Sequence, residues 1–365
     1  MKIDKRTLKS ILFTALSLIG QAAIAQTGTY QISGKLDDLG NNKVFLSTSY
    51  DGKNITDSVV AQNGSFTFKG NTPGTLIYAL RAEKKYLVLA VQPNEKIIIN
   101  GSLAKFNEVS VAGAKDQHIW KEWSKGWQTI TARAGQLYKK MDSIGKTGDR
   151  TYVDAEFAKL NLRMIDSVES MVKKYPSSGV TPYIVIDRFI NYPNLEKAKS
   201  TYAALTAAGK NSVYGKELAA SLAISAKTGI GVKPDFTLPD RDGKNVTLSS
   251  LRGKVVLVDF WASWCAPCRK ENPNLVKAYA KYHNKGFEII GVSLDSKKDA
   301  WLKAIDADQL AWMHVSDLKG WKSDLAAEYG IKSIPRSFLV DASGKIIAKD
   351  LRGDQLDKKL ETILK

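Results

Sequence analysis

The feature that most constrains this chain is a continuous apolar run that is followed closely by its only two cysteines. Val255–Val258 has the composition of a strand that is covered on both faces. A helix is predicted to follow, from Cys265 to about Tyr282. Strands and helices alternate from here to the C-terminus, and we therefore predict an α/β fold for residues 229–365.

Residues 26–114 carry a different pattern, in which short runs rich in β-branched and aromatic residues alternate with turn signals. Strands at this spacing predict a small antiparallel β sandwich or barrel. The five runs begin at Tyr30, Val44, Ser65, Tyr86 and Lys96. No catalytic constellation is visible in them, and both a partner-binding or spacer role and a purely stabilising role stay open for this domain.

Residues 115–228 read as a helical region, because apolar residues recur every three or four positions. The stripe begins with Trp120, Trp123 and Trp127. We interpret it as packing against neighbouring helices, and a dimer or substrate interface is the alternative. The fold class is therefore multidomain, with a β domain, a helical region and a C-terminal α/β domain.

The N-terminus has the pattern of an export signal. A basic start leads into an apolar stretch from Ile11 to Gly20, and the small residues Ala23 and Ala25 precede Gln26. The stretch is shorter than the roughly 20 residues that a membrane span needs. We predict that residues 1–25 are a signal peptide, cleaved after Ala25, and that the mature protein lies in the periplasm. The alternative is an uncleaved anchor in the inner membrane.

The formal net charge is +17. The basic residues are scattered along the chain, which favours a solvated lysine-rich surface, and attraction to acidic partners or anionic lipid headgroups is the alternative. A nucleic-acid partner would require a basic stripe or a recognition motif, and the sequence contains neither. We therefore expect no nucleic-acid partner.

The spacing of the cysteines argues against a structural role. A Cys265–Cys268 disulfide would close so short a loop that it would remove only about 2 kcal/mol of denatured-state entropy. Zinc would need two further ligands, and the three histidines, His118, His283 and His314, have no suitable spacing. Redox chemistry remains, with no metal and no cofactor beyond the Cys265–Cys268 disulfide itself.

The predicted helix places Cys265 at its N-terminus, where unpaired N–H groups and the helix dipole favour negative charge. The pKa of the Cys265 thiol is therefore expected to be depressed, and the thiolate is the form that attacks a disulfide. Cys268 lies one turn later and can attack the resulting mixed disulfide. We assign Cys265 as the nucleophile and Cys268 as the resolving thiol.

Asp259 ends the apolar strand and is expected to be desolvated there, which raises its pKa. Such a carboxylate is suited to exchanging a proton with the resolving thiol of Cys268. The alternative is an aspartate whose carboxylate is satisfied by local hydrogen bonds.

These segments carry a family resemblance. Lys254–Cys268 resembles the active-site segment of thioredoxins, and Gly330–Pro335 resembles their cis-proline loop. Pro234–Asp240 and Leu251–Lys254 are similar to the exported TlpA-like and ResA-like branch of the superfamily. The resemblance implies a thioredoxin fold for the α/β domain, and the β and helical segments resemble, more weakly, the leader of some exported members.

The resemblance also implies binding residues. Pro335 is expected to face the cysteines, and the backbone of Ile334 is expected to hydrogen-bond a substrate strand. Trp264 and Pro267 are expected to contact substrate, and Gly353 matches a glycine that flanks the substrate-binding groove of thioredoxins.

Two departures from cytosolic thioredoxins favour a narrower set of partners. Gly291 stands at about the position of a lysine that lies near the buried aspartate, and Lys297–Trp321 is predicted to hold an extra helix and strand.

The function we expect is reduction or exchange of disulfides in envelope proteins, with electrons from a membrane thiol donor. The resemblance implies cytochrome c maturation as one use. The alternatives are a peroxidase of the peroxiredoxin type, although Ala262 stands where such enzymes have threonine or serine, and a redox-inactive binding protein. The sequence predicts no oligomeric state.

Overall fold

The computed structural model of the protein describes residues 27–145, 148–192 and 194–364. The predicted signal peptide lies outside the described residues. The chain divides into two compact units, one of residues up to Asp187 with Thr201–Lys216, the other of Arg188–Ser200 with Glu217 onwards. The domain boundaries predicted at residues 114 and 228 stay predictions.

The described strands of the first unit form two four-stranded sheets, ordered β4-β1-β7-β8 and β3-β2-β5-β6. The strands are β1 (Gly28–Asp37), β2 (Lys43–Tyr50), β3 (Lys53–Val60), β4 (Ser65–Thr72), β5 (Leu76–Ala82), β6 (Lys85–Val91), β7 (Lys96–Ser102) and β8 (Ser110–Ala112). Tyr30 on β1 contacts Tyr78 on β5 in the opposite sheet, with ring centroids 5.4 Å apart. The predicted β domain is therefore confirmed as two facing sheets.

The predicted antiparallel β domain contains one parallel pair. β1 runs parallel to β7, with Ile32 opposite Ile97, whereas the other described pairs of these sheets are antiparallel. A parallel pair needs a long connection. The chain supplies it by building the second sheet and β4 between β1 and β7.

The edge strand β6 is capped by a side chain rather than by another strand. The Gln117 amide donates from Nε2 to the Val88 carbonyl at 2.9 Å and accepts the Ala90 N–H at Oε1, also at 2.9 Å. Gln117 begins the first helix, so the same residue ends the sheet and starts the helical region.

The predicted helical region is confirmed. Its helices are α1 (Gln117–Ile144), α2 (Thr151–Lys174), α3 (Val180–Val185), α4 (Leu195–Ala204), α5 (Ala207–Asn211) and α6 (Val213–Thr228). Leu137, Val153 and Leu160 form a small core between α1 and α2. Trp123 is buried, and Trp120 contacts Tyr183 of α3, with ring centroids 6.0 Å apart. This packing agrees with our interpretation of the apolar stripe.

The second unit contains a five-stranded sheet, ordered β13-β12-β11-β14-β15, and a two-stranded ribbon of β9 and β10. Its strands are β9 (Thr237–Pro239), β10 (Asn245–Thr247), β11 (Val255–Trp261), β12 (Phe287–Ser293), β13 (Met313–Val315), β14 (Arg336–Val340) and β15 (Ile346–Lys349). Its further helices are α7 (Ala266–Tyr282), α8 (Lys298–Ala307), α9 (Asp324–Glu328) and α10 (Asp354–Ile363). This is the predicted thioredoxin-like α/β domain.

The central strands of this sheet are covered on both faces. Every residue of β11 and β12 is buried, as the apolar run predicted. β11 is parallel to β12 and antiparallel to β14. The extra helix and strand predicted between residues 297 and 321 are α8 and β13. None of the helices in the described ranges is both long enough and apolar enough to span a bilayer.

The Gln117 cap generates a stability prediction. Gln117→Ala leaves the Ala90 N–H and the Val88 carbonyl without their partner, and we expect it to lower the free energy of unfolding of this unit by about 1–2 kcal/mol. Gln128→Ala is the matched control, because Gln128 is exposed on the same helix. Urea unfolding followed by circular dichroism measures both. Equal midpoints for the two variants would contradict the role of the cap.

Candidate active site

The dithiol lies where β11 turns into α7. Cys265 is the N-cap residue of α7, and its Sγ accepts a hydrogen bond from the backbone N–H of Cys268 at 3.2 Å. Pro267 lies in the first turn, where its missing N–H costs no hydrogen bond. The cysteines form a disulfide with an S–S distance of 2.03 Å and Cα atoms 5.2 Å apart. The structure therefore shows the oxidised form, with the sulfur at the helix tip that the sequence predicted.

The two cysteines are almost completely shielded from solvent. Cys265 is 4% exposed and Cys268 is 2% exposed, so both cysteines are buried. Ala266 and Pro267 are exposed, and Trp264 is 53% exposed. A partner that reaches the Cys265 sulfur therefore has to fit closely against the residues around it.

Asp259 is a buried carboxylate on β11, only 8% exposed. Burial raises its pKa to about 7, the negative charge of Glu271 adds to the increase, and the positive charge of Arg352 opposes it. None of the described residues hydrogen-bonds its side chain. The predicted rise in pKa is thus confirmed, and the alternative of a carboxylate satisfied by local hydrogen bonds is not what the structure shows.

Sequence reasoning missed Glu271 and Arg352, the two charges that act on Asp259. Glu271 lies on α7, and its Oε1 accepts the N–H of Gly353 at 2.7 Å. Arg352 donates from Nη2 to the carbonyl oxygen of Pro335 at 2.6 Å. The position of Glu271, three residues after Cys268 and hence on the same side of the helix, was a signal that could have found it. Nothing in the sequence marked Arg352.

The cis-proline loop is confirmed. The peptide bond between Ile334 and Pro335 is cis, and β14 begins at the next residue. Arg336 pairs with Phe260 near the carboxyl end of β11, so this loop lies at the sheet edge from which the Cys265 loop also leaves. Ile334 packs against the core that includes both cysteines. Substrate binding by Ile334 and Pro335 stays a prediction.

Gly353 has a backbone that favours glycine. Its φ of +47° lies in the left-handed region, at the N-cap of α10, and its N–H is the group that Glu271 accepts. The structure therefore ties the predicted groove glycine to the helix that carries the dithiol. Its contact with substrate stays a prediction.

The structure shows why glycine, and not the lysine of cytosolic thioredoxins, stands at position 291. It pairs with Asp259 on the neighbouring strand, and a Cβ at Gly291 would lie 2.5 Å from Nδ1 of His314. The His314 ring thus occupies the space of a side chain at this position. Burial lowers the pKa of His314 to about 3, so the ring is neutral near pH 7 and brings no positive charge next to the aspartate.

Two family models and several known proteins match parts of this chain. The AhpC/TSA family model matches residues 232–349, and the Domain of unknown function (DUF4369) model matches residues 30–120. Thiol-disulfide oxidoreductase ResA of Bacillus thuringiensis subsp. konkukian is 36% identical over 132 residues, which are 36% of this chain and 74% of that relative.

Further relatives carry related descriptions. Thiol-disulfide oxidoreductase ResA of Bacillus subtilis is 32% identical over 114 residues, covering 31% of this chain and 62% of that protein. The solved thioredoxin domain of a thiol-disulfide oxidoreductase from Bacteroides vulgatus is 43% identical, with a TM-score of 0.36, and it covers 38% of this chain and 98% of that domain.

The pKa of Asp259 generates a prediction on stability. In the unfolded chain an aspartate loses its proton near pH 4, whereas the folded protein keeps it until about pH 7. The unfolded state therefore binds fewer protons between these values, and stability falls as pH rises through the window. Asp259→Asn cannot ionise and escapes this loss, so its stability relative to wild type should rise by about 2–4 kcal/mol between pH 4 and pH 8.

Guanidinium unfolding of the oxidised protein at the two pH values measures this change. Asp242→Asn, at an exposed position, is the control and should follow wild type at both. A constant difference between Asp259→Asn and wild type would contradict the raised pKa.

Proposed function

The chain belongs to the family of ResA-like thiol-disulfide oxidoreductases, and we propose that its Cys265–Cys268 pair reduces or exchanges disulfides of proteins in the cell envelope. The observation that carries the proposal is the position of the Cys265 sulfur at the tip of α7, where it accepts the Cys268 N–H. That N–H and the helix dipole favour a negative sulfur, which is the attacking form.

The reduced pair acts in two steps. The Cys265 thiolate attacks one sulfur of the substrate disulfide, the substrate S–S bond breaks, and its other sulfur leaves as a thiolate that takes a proton from solvent. Cys268 then loses its proton and attacks the Cys265 sulfur, which forms the intramolecular disulfide and releases the second substrate thiol. Two electrons pass from the protein to the substrate, the second substrate sulfur also leaves as a thiolate and is protonated by solvent, and the protein itself gives up one proton, that of Cys268.

Asp259 is proposed as the acceptor of the Cys268 proton. Its pKa of about 7 lets it accept and return a proton near neutral pH, and it has no described hydrogen bond that would have to break first. Glu271 on α7 acts as a positioning residue, because its charge raises the pKa of Asp259 and its carboxylate holds the N-terminus of α10.

The surface around the dithiol is proposed to bind the substrate chain. Trp264 and Pro267 are exposed next to the cysteines. Gly353 donates its N–H to Glu271 on α7, and the neighbouring Arg352 donates to the carbonyl of Pro335, which follows Ile334. The loops of Pro335 and Gly353 are therefore joined to each other and to the helix that carries the cysteines. Among the described residues, no backbone hydrogen bond engages Ile334, and its N–H and carbonyl are proposed to pair with an extended substrate segment, as the family resemblance implies.

The envelope location rests on the predicted export signal and on the resemblance to the exported branch. A membrane thiol donor would return two electrons to the Cys265–Cys268 disulfide by the reverse exchange. The most specific part of the proposal is that the protein keeps the cysteines of apocytochromes reduced for haem attachment. It rests on the family resemblance alone.

The activity is tested with the mature protein, dithiothreitol and insulin as the disulfide substrate. Wild type should accelerate insulin reduction. Cys265→Ser should give the same rate as dithiothreitol without protein, because the attacking sulfur is absent. Cys268→Ser should accumulate mixed disulfides that a double variant lacking both cysteines does not form. Equal rates for wild type and Cys265→Ser would overturn the proposal and favour a redox-inactive binding protein.

A further inference from the structure

Two tryptophans next to the dithiol are half exposed and touch each other. Trp264 is 53% exposed and Trp321 is 51% exposed, and their ring centroids are 6.0 Å apart with planes inclined by 52°. Trp264 directly precedes Cys265, whereas Trp321 lies in a 3-10 turn, Gly320–Lys322. The rings therefore form an open aromatic surface beside the sulfur that is proposed to attack.

Hydrogen bonds fix the loop that carries Trp264. The backbone N–H and the hydroxyl of Ser263 both donate to the carboxylate of Asp295, at 2.9 and 2.5 Å. Asp295 is only 2% exposed and also accepts the Ser293 hydroxyl at 2.8 Å. The loop is thus held to the carboxyl end of β12.

The segment that carries Trp321 is held to the same point. The Ser316 hydroxyl donates to the carbonyl of Ser293 at 2.9 Å and accepts the N–H of Leu318 at 3.1 Å. Gly320 then turns the chain with a φ of +57°. Both tryptophans therefore project from loops attached to Ser293, so their spacing is built into the fold before any partner arrives.

The charges around Trp321 favour a neutral occupant. Lys319 and Lys322 are balanced by Asp317 and Asp324 in the same segment, and Lys319 pairs with Asp324 at 2.6 Å. A charged side chain would gain little from such a surface, whereas an apolar side chain would cover the exposed ring faces.

We propose that Trp264 and Trp321 together bind an apolar side chain that flanks the disulfide of a polypeptide substrate. The inference rests on the proposed function and names a feature of its substrates. Trp264 directly precedes Cys265 and its ring contacts Trp321, so a substrate chain whose sulfur reaches Cys265 passes beside this aromatic pair. Aromatic side chains that a partner covers on binding commonly supply much of the energy of an interface.

The test uses two synthetic peptides that each contain one intramolecular disulfide. They are identical except for the residue that precedes the first cysteine, which is leucine in one and glycine in the other. With dithiothreitol as the electron source, wild type should reduce the leucine peptide with a kcat/KM about tenfold higher than the glycine peptide. In Trp321→Ala the ratio should fall below about twofold, and Trp321→Phe should restore part of it.

Tyr86→Ala is the control, because Tyr86 is an exposed aromatic residue of the other unit and should keep the full ratio. An unchanged ratio in Trp321→Ala, with both peptides still reduced faster than by Cys265→Ser, would overturn this inference alone. If wild type reduced neither peptide faster than Cys265→Ser, the proposed function would fall and the inference with it.

Discussion

The reactivity proposed for this protein depends on one contact, between the Cys265 sulfur and the backbone N–H of Cys268 in the first turn of α7. An N-cap position normally holds a small polar side chain that accepts such a hydrogen bond. Here a sulfur takes that place, so the group that stabilises the helix end is also the one that reacts. β11 and β12 are buried along their whole length and hold this helix end in position.

The charges near the dithiol follow from what the neighbouring strands exclude. His314 fills the space beside Gly291 and stays neutral, so Asp259 has no cation from β12 to hold it ionised. Glu271 further disfavours the ionised form, and the positive charge of Arg352 opposes this effect. Asp259 therefore titrates near neutral pH and has no described hydrogen bond. A pKa near neutral pH is what proton exchange with a thiol requires.

The sequence predicted what depends on neighbours along the chain. The covered strand, the cysteine at the helix tip and the desolvated Asp259 all follow from one short segment, and the cis peptide at Pro335 follows from the family resemblance. The contacts of Glu271 with Gly353, of Arg352 with Pro335 and of Trp264 with Trp321 join residues distant in sequence. The parallel β1–β7 pair was missed for the same reason, because local patterns do not specify which strands meet.

The most direct test of the central claim is a titration of the Cys265 thiol in the reduced protein, by the pH dependence of its alkylation rate in Cys268→Ser. The account predicts that the thiol is half ionised at a pH well below the value of about 8.5 for a free cysteine, because the helix tip stabilises the thiolate. Ionisation at about 8.5 or above would contradict it.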